Sequence, residues 1–261
     1  MDKITVVTVC FNSEETIRNT ILSVLKQTYK NIEYVFIDGE STDRTNSIIE
    51  EYREAFESRG IEYIHISEPD NGIYDAMNKG IRYSSGDWVN FLNSDDQYVD
   101  ENVLQSIADG VEEGVDCIYG DTINVLEGKS FYRKSFEIDV LTYRNPYVHQ
   151  ALFCSKETIH QYTFNTDYTY AADFDQAVRM YNDKKTFKHV SVPVCRFSLE
   201  GRSQKNNNIA VKEFEISRRR NGIAKRDLLK RYLLYSAVII VKGNGIIYKM
   251  YVSMKNKARH E

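Results

Sequence analysis

The sequence predicts an α/β protein: a mixed sheet with helices on both faces, followed by a C-terminal helical tail. Three observations predict it. From Ile4 to Tyr119, short β-rich runs alternate with helix-length amphipathic stretches, the pattern of strand–helix–strand units in a parallel sheet. Beyond Asp121 the alternation gives way to antiparallel-looking segments, so a mixed second half is grafted on a parallel first half. From Ser203 onward the chain is polar, then strongly basic and helical in pattern.

Ile4 to Cys10 is the first strand, and Glu14 to Gln27 a helix with Ile17, Ile21, Leu22, Val24 and Leu25 on one face. Ile32 to Ile37 is the second strand, followed by a helix over Asp43 to Ser58. Ile61 to Ile66 is the third strand, and Asn71 to Tyr83 is mostly helical. Trp88 to Leu92 and Val115 to Tyr119 are the fourth and fifth strands, with a helix over Glu101 to Glu112 between them. In the second half, Ser130 to Ile138, Tyr147 to Phe153 and Thr186 to Phe197 read as strands, and Ala171 to Tyr181 as a helix. The divisions are residues 1–202, split into halves 1–121 and 122–202, and a tail over 203–261.

A hydrophobic content of 42% and a charged content of 28% are ordinary for a soluble domain. Met1-Asp2-Lys3 runs straight into a short apolar stretch without a cleavage site, so no signal peptide is expected. Cys10, Cys117, Cys154 and Cys195 are widely spaced with no CxxC, which predicts buried free thiols in a reducing cytoplasm. The net charge of −4 hides an asymmetry: residues 202–261 hold 15 Lys/Arg against 4 Asp/Glu, while the remainder holds 19 against 34. An acidic body with a basic tail predicts two surfaces with different partners, and nucleic acid is not among those expected.

Ligands of open α/β sheets bind outside the carboxyl ends of the strands. Polar and acidic residues follow each of the five strands: Cys10-Phe11-Asn12, Asp38-Gly39, Glu68-Pro69-Asp70, Asn93-Ser94-Asp95-Asp96 and Gly120-Asp121. Converging carboxylates repel one another unless a cation sits among them. Mg2+ or Mn2+ held by one or two carboxylates and substrate phosphates is the economical solution. A P-loop and a GxGxxG are both missing after the first strand, which argues against simple NTPase and dinucleotide chemistry. The lack of a Gly-rich triphosphate loop argues likewise against a nucleotidyltransferase.

Five segments together resemble glycosyltransferase family 2 with its GT-A (Rossmann-like) fold, close to bacterial enzymes of O-antigen and capsular polysaccharide assembly. They are Thr5 to Asn12, Asp38 to Thr45, Ser67 to Gly80, Gly86-Asp87-Trp88, and Phe91 to Asp96, in family order and spacing. The resemblance implies a nucleotide-sugar donor, UDP-linked by preference, bound by the first half, with the second half taking the acceptor. It places Thr8, Phe11 and Asn12 at the base, Glu14 near base or ribose, and Asp38 on the base edge. Asp70 and Lys79 would face the diphosphate or ribose. Ser41 and Asp43 fit better as turn and helix-cap residues.

The family's metal motif is Asp-x-Asp, and here its first position is Asn93. The resemblance therefore puts Asn93, Ser94 and Asp95 at the donor and leaves Asp95 as the metal ligand, for Mn2+ or Mg2+. Asp96, His149 and Gln150 fall on the acceptor side. Asp173 is the expected catalytic base, with Asp175 its runner-up. Arg202 lies where the family has a loop that reaches the diphosphate. One in-line displacement inverts the anomeric carbon.

A glycan or lipid-linked saccharide is the implied acceptor, in surface polysaccharide biosynthesis. The apolar run Tyr232 to Val241 is too short to span a bilayer. With its basic neighbours it fits an interfacial helix on the anionic inner face of the cell membrane. Packing on the catalytic domain or on a partner is the alternative. A catalytically silent sugar-nucleotide or glycan-binding module on the same fold is the competing function, because fold does not establish activity.

Overall fold

Every residue of strand β1 (Ile4–Cys10) is buried, as a run with no polar alternation requires when helices cover both sheet faces. It lies parallel between β2 (Ile32–Asp38) and β4 (Trp88–Phe91), and β3 (Glu62–Ser67) continues the parallel set beyond β2. The computed structural model describes residues 2–142, 144–198 and 207–223. Arg202 and the apolar run Tyr232 to Val241 lie outside the described residues, and no described helix is long and apolar enough to cross a membrane.

Helix α1 (Ile17–Leu25) turns Ile17, Ile21 and Val24 inward, the spacing that predicted it. The single helix expected over Asp43 to Ser58 is two, α2 (Thr45–Glu50) and α3 (Arg53–Arg59). At the break, Arg18 reaches from α1 to the Glu51 carboxylate at 2.7 Å and the Tyr52 hydroxyl at 2.8 Å. Periodicity does not encode that tertiary contact. Helix α4 (Ile73–Tyr83) packs on the other face of β1 and β2. Gly80 permits this approach, since a Cβ there would overlap the Val7 side chain.

Beyond β4 the sheet continues through β8 (Leu152–Ser155), β6 (Cys117–Leu126), β9 (Phe187–Ser198) and β5 (Gln97–Tyr98), in the order β3-β2-β1-β4-β8-β6-β9-β5, with β7 (Lys129–Arg133) paired to β6. The fifth strand expected at Val115 to Tyr119 begins β6 (Cys117–Leu126) and is not β4's neighbour: β8 (Leu152–Ser155) is inserted antiparallel between them. Nor does β6 end before Asp121. It passes a bulge against β9 (Phe187–Ser198), continues to Leu126 and reverses through Glu127-Gly128 into β7 (Lys129–Arg133). Both turn residues have positive φ, 49° and 72°, the geometry of a tight two-residue hairpin.

The strand expected to run to Ile138 stops at Arg133, because Ser135 folds back: its amide donates to Asp121 at 2.7 Å and its hydroxyl to Gly120 O at 2.7 Å. A 3-10 helix follows over Ile138–Thr142. In the segment Tyr147 to Phe153, only Leu152 onward is strand. His149–Ala151 is a 3-10 turn, held by the Asn90 amide donating to the carbonyls of Gln150 and Leu152. The two-residue β5 (Gln97–Tyr98), paired antiparallel with β9, and α6 (Lys156–Gln161) are additions to the sequence reading. Helix α5 (Val103–Asp109) is shorter than expected, and α7 (Ala172–Asn182) is close to it. All four cysteines are buried free thiols.

Helix α8 (Asn207–Arg220) packs on α7. Phe214 meets the Phe174 ring edge-on at 5.0 Å, with Arg218 stacked 5.0 Å from the same ring. Asp175, only 3% exposed, anchors the contact by accepting from Arg179 at 2.9 Å, Ser217 at 2.9 Å and Asn221 at 3.0 Å. Removing one member of a buried charged pair strands the other. Asp175→Ala should therefore lower unfolding free energy by about 3 kcal/mol, the low end of the usual range because Arg179 keeps some solvent. A urea titration checks this; an unchanged midpoint would contradict it.

Candidate active site

The carboxyl ends of β1, β2 and β4 converge on one edge of the sheet, and three groups of side chains meet there. The first is built on Asp38, whose side chain is wholly buried. Its Oδ2 accepts from the Ser41 amide at 2.9 Å, Asn46 Nδ2 at 2.8 Å and Ser67 Oγ at 2.7 Å, and the Ser41 hydroxyl donates to Oδ1. Burial pushes this carboxyl up, but the hydrogen bonds from Ser41, Ser67 and Asn46 outweigh it and hold it below the usual range. A carboxylate has about four acceptor positions, so Asp38 is committed to shaping the Gly39–Ser41 turn.

Ser41 Oγ in turn accepts from the Asn12 amide at 2.8 Å, and Asn12 Oδ1 accepts from the Thr42 amide at 2.9 Å. Glu14 accepts from the Arg44 amide and Nε, both at 3.1 Å, while Asp43 accepts from the Glu14 amide at 3.0 Å and the Thr45 amide at 2.9 Å. The loops after β1 and β2 are thus laced together, with Phe11 left 50% exposed at the rim.

Gly39 brings the third loop in. A Cβ at this position would collide with Asp70 Oδ2 and touch the Phe11 ring. Asp70 is held by the Gly72 amide at 2.8 Å. Lys79 is 6% exposed, pairs with Glu68 at 2.9 Å and donates to Pro69 O at 2.5 Å. The structure thus places it beneath the loop that carries Asp70, with its ammonium engaged there. We expect Gly39→Ala to raise donor KM about tenfold or more by displacing Asp70 or Phe11, with little change in melting temperature. Unaltered donor kinetics would show that these three loops do not meet the donor.

The second group is the turn after β4. Asn93 O accepts from the Asp96 amide at 3.0 Å, and Ser94 Oγ meets Ser13 Oγ at 2.8 Å. Asn93 Oδ1 is sealed from solvent with no hydrogen-bond partner. Asp95 is exposed and makes no hydrogen bond or ion pair with a described residue. Asp96, 2% exposed, turns inward to accept from Gln150 Nε2 at 2.7 Å. Burial and the nearby Asp95 charge push the Asp96 carboxyl well above the usual range, against the pull of Gln150. Thr8 has no exposed surface; its hydroxyl donates to Leu92 O at 2.6 Å and meets the Tyr34 hydroxyl at 3.0 Å, under this turn.

No group of three or more His, Cys, Asp or Glu that could cage a metal occurs among the described residues. The free Asp95 carboxylate and the orphaned Asn93 carbonyl oxygen are hard donors on one turn. That is the partial set a Mg2+ or Mn2+ ion accepts when substrate phosphates complete its shell.

The third group faces the second half of the chain. The His149 ring stacks on Phe91 at 5.5 Å and meets Phe164 edge-on at 5.6 Å, with Nε2 sealed and unpaired. Burial holds this imidazole below its usual range, and the Asp173 charge pulls the other way. Asp173, in the first turn of α7, accepts from the Tyr74 hydroxyl at 3.3 Å, which ties it to the helix following Asp70. Asp175 is not brought into this group: two residues on, it points under α8. Tyr74, Ser13 and Asn90 are site-building residues that sequence reasoning missed. Their only signal is position, beside or within the recognised segments.

Residues 5–185 match the family model for glycosyl transferase family 2. A PGL/p-HBAD biosynthesis glycosyltransferase of Mycobacterium bovis is 33% identical over 199 residues, 74% of this chain and 74% of that protein. Among solved structures, the mannosyltransferase PcManGT of Pyrobaculum calidifontis, in complex with GDP-Man and Mn2+, aligns with a TM-score of 0.68 at 16% identity. It covers 98% of this chain and 80% of its own. TarS of S. aureus in complex with UDP-GlcNAc aligns with a TM-score of 0.67 at 18% identity, covering 82% of this chain, which spans 66% of that one. These two likenesses show the fold, a GT-A sheet, while the family match over most of the chain shows kinship. The chain belongs to glycosyltransferase family 2.

Proposed function

We propose that this glycosyltransferase inverts the anomeric configuration of a nucleoside-diphosphate sugar, with UDP the favoured nucleotide. The acceptor on this reading is a glycan or lipid-linked saccharide of surface polysaccharide assembly. The observation that carries it is the contrast at the carboxyl edge. Asp38, Asp43 and Asp96 are all engaged by protein groups, whereas Asp95 is exposed and unengaged.

Phe11 offers a face for the base, and Asp70 lines the same wall. Asp95, with Asn93, would hold Mn2+ or Mg2+, which supplies positive charge to the departing diphosphate. Asp173 takes the proton from the acceptor hydroxyl; the Tyr74 hydroxyl keeps one oxygen of that carboxylate fixed. Buried His149, with Gln150 and Asp96, shapes the wall between donor turn and acceptor. One displacement with one base inverts the configuration. Arg202 at the diphosphate and the tail beyond α8 on an anionic inner leaflet complete the proposal; α8 itself packs on α7.

Hydrolysis and transfer assays over UDP-, GDP- and TDP-sugars, with and without Mn2+, test this reading. The expected result is turnover of one donor class only when metal is present, giving product of inverted configuration. Tight donor binding without turnover would instead identify a silent binding module, the competing function.

A further inference from the structure

Helix α2 turns two polar side chains, Asn46 and Glu50, one helical turn apart, towards β3. His65 of β3 bridges them: its Nε2 meets Asn46 Oδ1 at 2.8 Å and its Nδ1 meets Glu50 Oε1 at 2.8 Å. The strand register puts this bridge beside the turn after β2. Phe36 pairs with His65 and Asp38 with Ser67. By the two-residue period of a strand, all four side chains share one sheet face, the face on which Phe36 packs with Ile48 and Ile49 of α2.

Hydrogen-bond chemistry fixes the sense of the chain. Asn46 Nδ2 lies 2.8 Å from Asp38 Oδ2, and a carboxylate only accepts. Asn46 therefore gives its NH2 to Asp38 and turns its carbonyl oxygen to the imidazole; the opposite orientation would set two oxygens together. It follows that His65 Nε2 carries a proton and donates it to Asn46 Oδ1. Glu50 steers the ring into that position and is itself anchored. It accepts from the Tyr63 hydroxyl at 2.9 Å and from Arg53 Nε at 2.9 Å and Nη2 at 2.6 Å. The rings of Phe36 and Tyr63 flank the imidazole, each with its centre 6.3 Å away.

What Asn46 holds is the wall of the candidate site. Asp38 Oδ2 gathers Ser41 from the turn, Asn46 from α2 and Ser67 from the end of β3. Ser41 Oγ then fixes the Asn12 amide, and Gly39 leaves room for Asp70 and Phe11 beside it. An Asn46 without its imidazole partner is free to rotate, and the turn loses its tie to α2.

We propose that His65 is a positioning residue for nucleotide-sugar binding, acting through Asn46 and Asp38 on the Gly39–Ser41 turn. This rests on the reading of that turn as part of the nucleotide-sugar site. His65 and Asn46 both fall outside the five segments that carry the family resemblance. Their part is visible only once β3 and α2 are packed together.

The test is a calorimetric titration of the full chain with UDP, and with GDP and TDP in parallel, each with Mn2+. His65→Phe keeps a ring between Phe36 and Tyr63 but removes both nitrogens; affinity for the preferred nucleotide should fall about tenfold. His65→Gln carries an amide N–H close to the Nε2 position and should recover most of that loss. Asn46→Ala should weaken binding as much as His65→Phe, and combining the two should cost nothing further. Affinity within about twofold of wild type in His65→Phe overturns the proposal, even if the melting temperature falls, because the histidine is then merely structural. So does a full further loss in the double variant, since the effect would not run through Asn46. Nitrogen-15 resonances of the wild-type imidazole, assigned by their loss in His65→Gln, give a reading that no misfolded variant can blur. A protonated Nε2 is expected, and an unprotonated one overturns the proposal. Failure of wild type to bind any of the nucleotides sinks the nucleotide-sugar reading itself, whereas normal binding by both wild type and His65→Phe sinks this inference alone.

Discussion

Asp95→Ala should abolish metal-dependent donor binding and lower transfer by about a thousandfold, while leaving the fold intact. Among the acidic residues at this edge, Asp95 combines exposure with freedom from protein partners. Nothing in the core depends on it, so the stability change should stay within about 0.5 kcal/mol. The neighbouring Asn93 amide offers only a neutral oxygen, so it does not replace the lost carboxylate. Asp95→Asn should be nearly as damaging, because the exposed side of the turn would then offer the ion only neutral amides. Isothermal titration with nucleoside diphosphate, with and without Mn2+, reads the effect. Equal metal dependence in wild type and Asp95→Ala would remove this residue from the metal site.

Asp173→Asn should behave differently, sparing donor affinity and lowering turnover about 10²–10⁴-fold, the usual worth of a positioned base. The amide is nearly isosteric and its oxygen still accepts from the Tyr74 hydroxyl, so geometry is retained and basicity lost. Loss of a negative charge from the first turn of α7 costs only about 0.3–1 kcal/mol of helix-dipole interaction. Unchanged donor Kd with a collapsed kcat separates a base from a binding residue. Full activity of Asp173→Asn would reject the assignment, and Asp175 is no substitute because its carboxylate is sealed beneath α8.

The parallel core was legible because β1, β2 and β4 are continuous apolar runs, and α1 and α4 carry their own periodicity. Strand β8 was not, since its insertion between β4 and β6 is a tertiary event that four residues do not announce. The hairpin was missed for a related reason: Glu127 adopts positive φ without the usual Asn or Gly, so the turn signal is weak. The strand-end rule pointed to the edge where these side chains meet but could not rank its carboxylates. Asp38 and Asp95 both follow strands and read alike. Only Ser41, Ser67 and Asn46, brought in from separate segments, show that Asp38 is committed to a turn. Lys79 is a similar case, because its engagement with Glu68 and Pro69 depends on how that loop folds over α4.

Mn2+ electron paramagnetic resonance tests most directly whether the metal of the donor site is held jointly by Asp95 and the nucleotide diphosphate. Free Mn2+ should be bound weakly by the protein alone and tightly once nucleoside diphosphate is added, beyond what the nucleotide itself binds. The gain should disappear in Asp95→Ala. Tight Mn2+ binding by the nucleotide-free protein, or no gain over nucleotide alone, would contradict it.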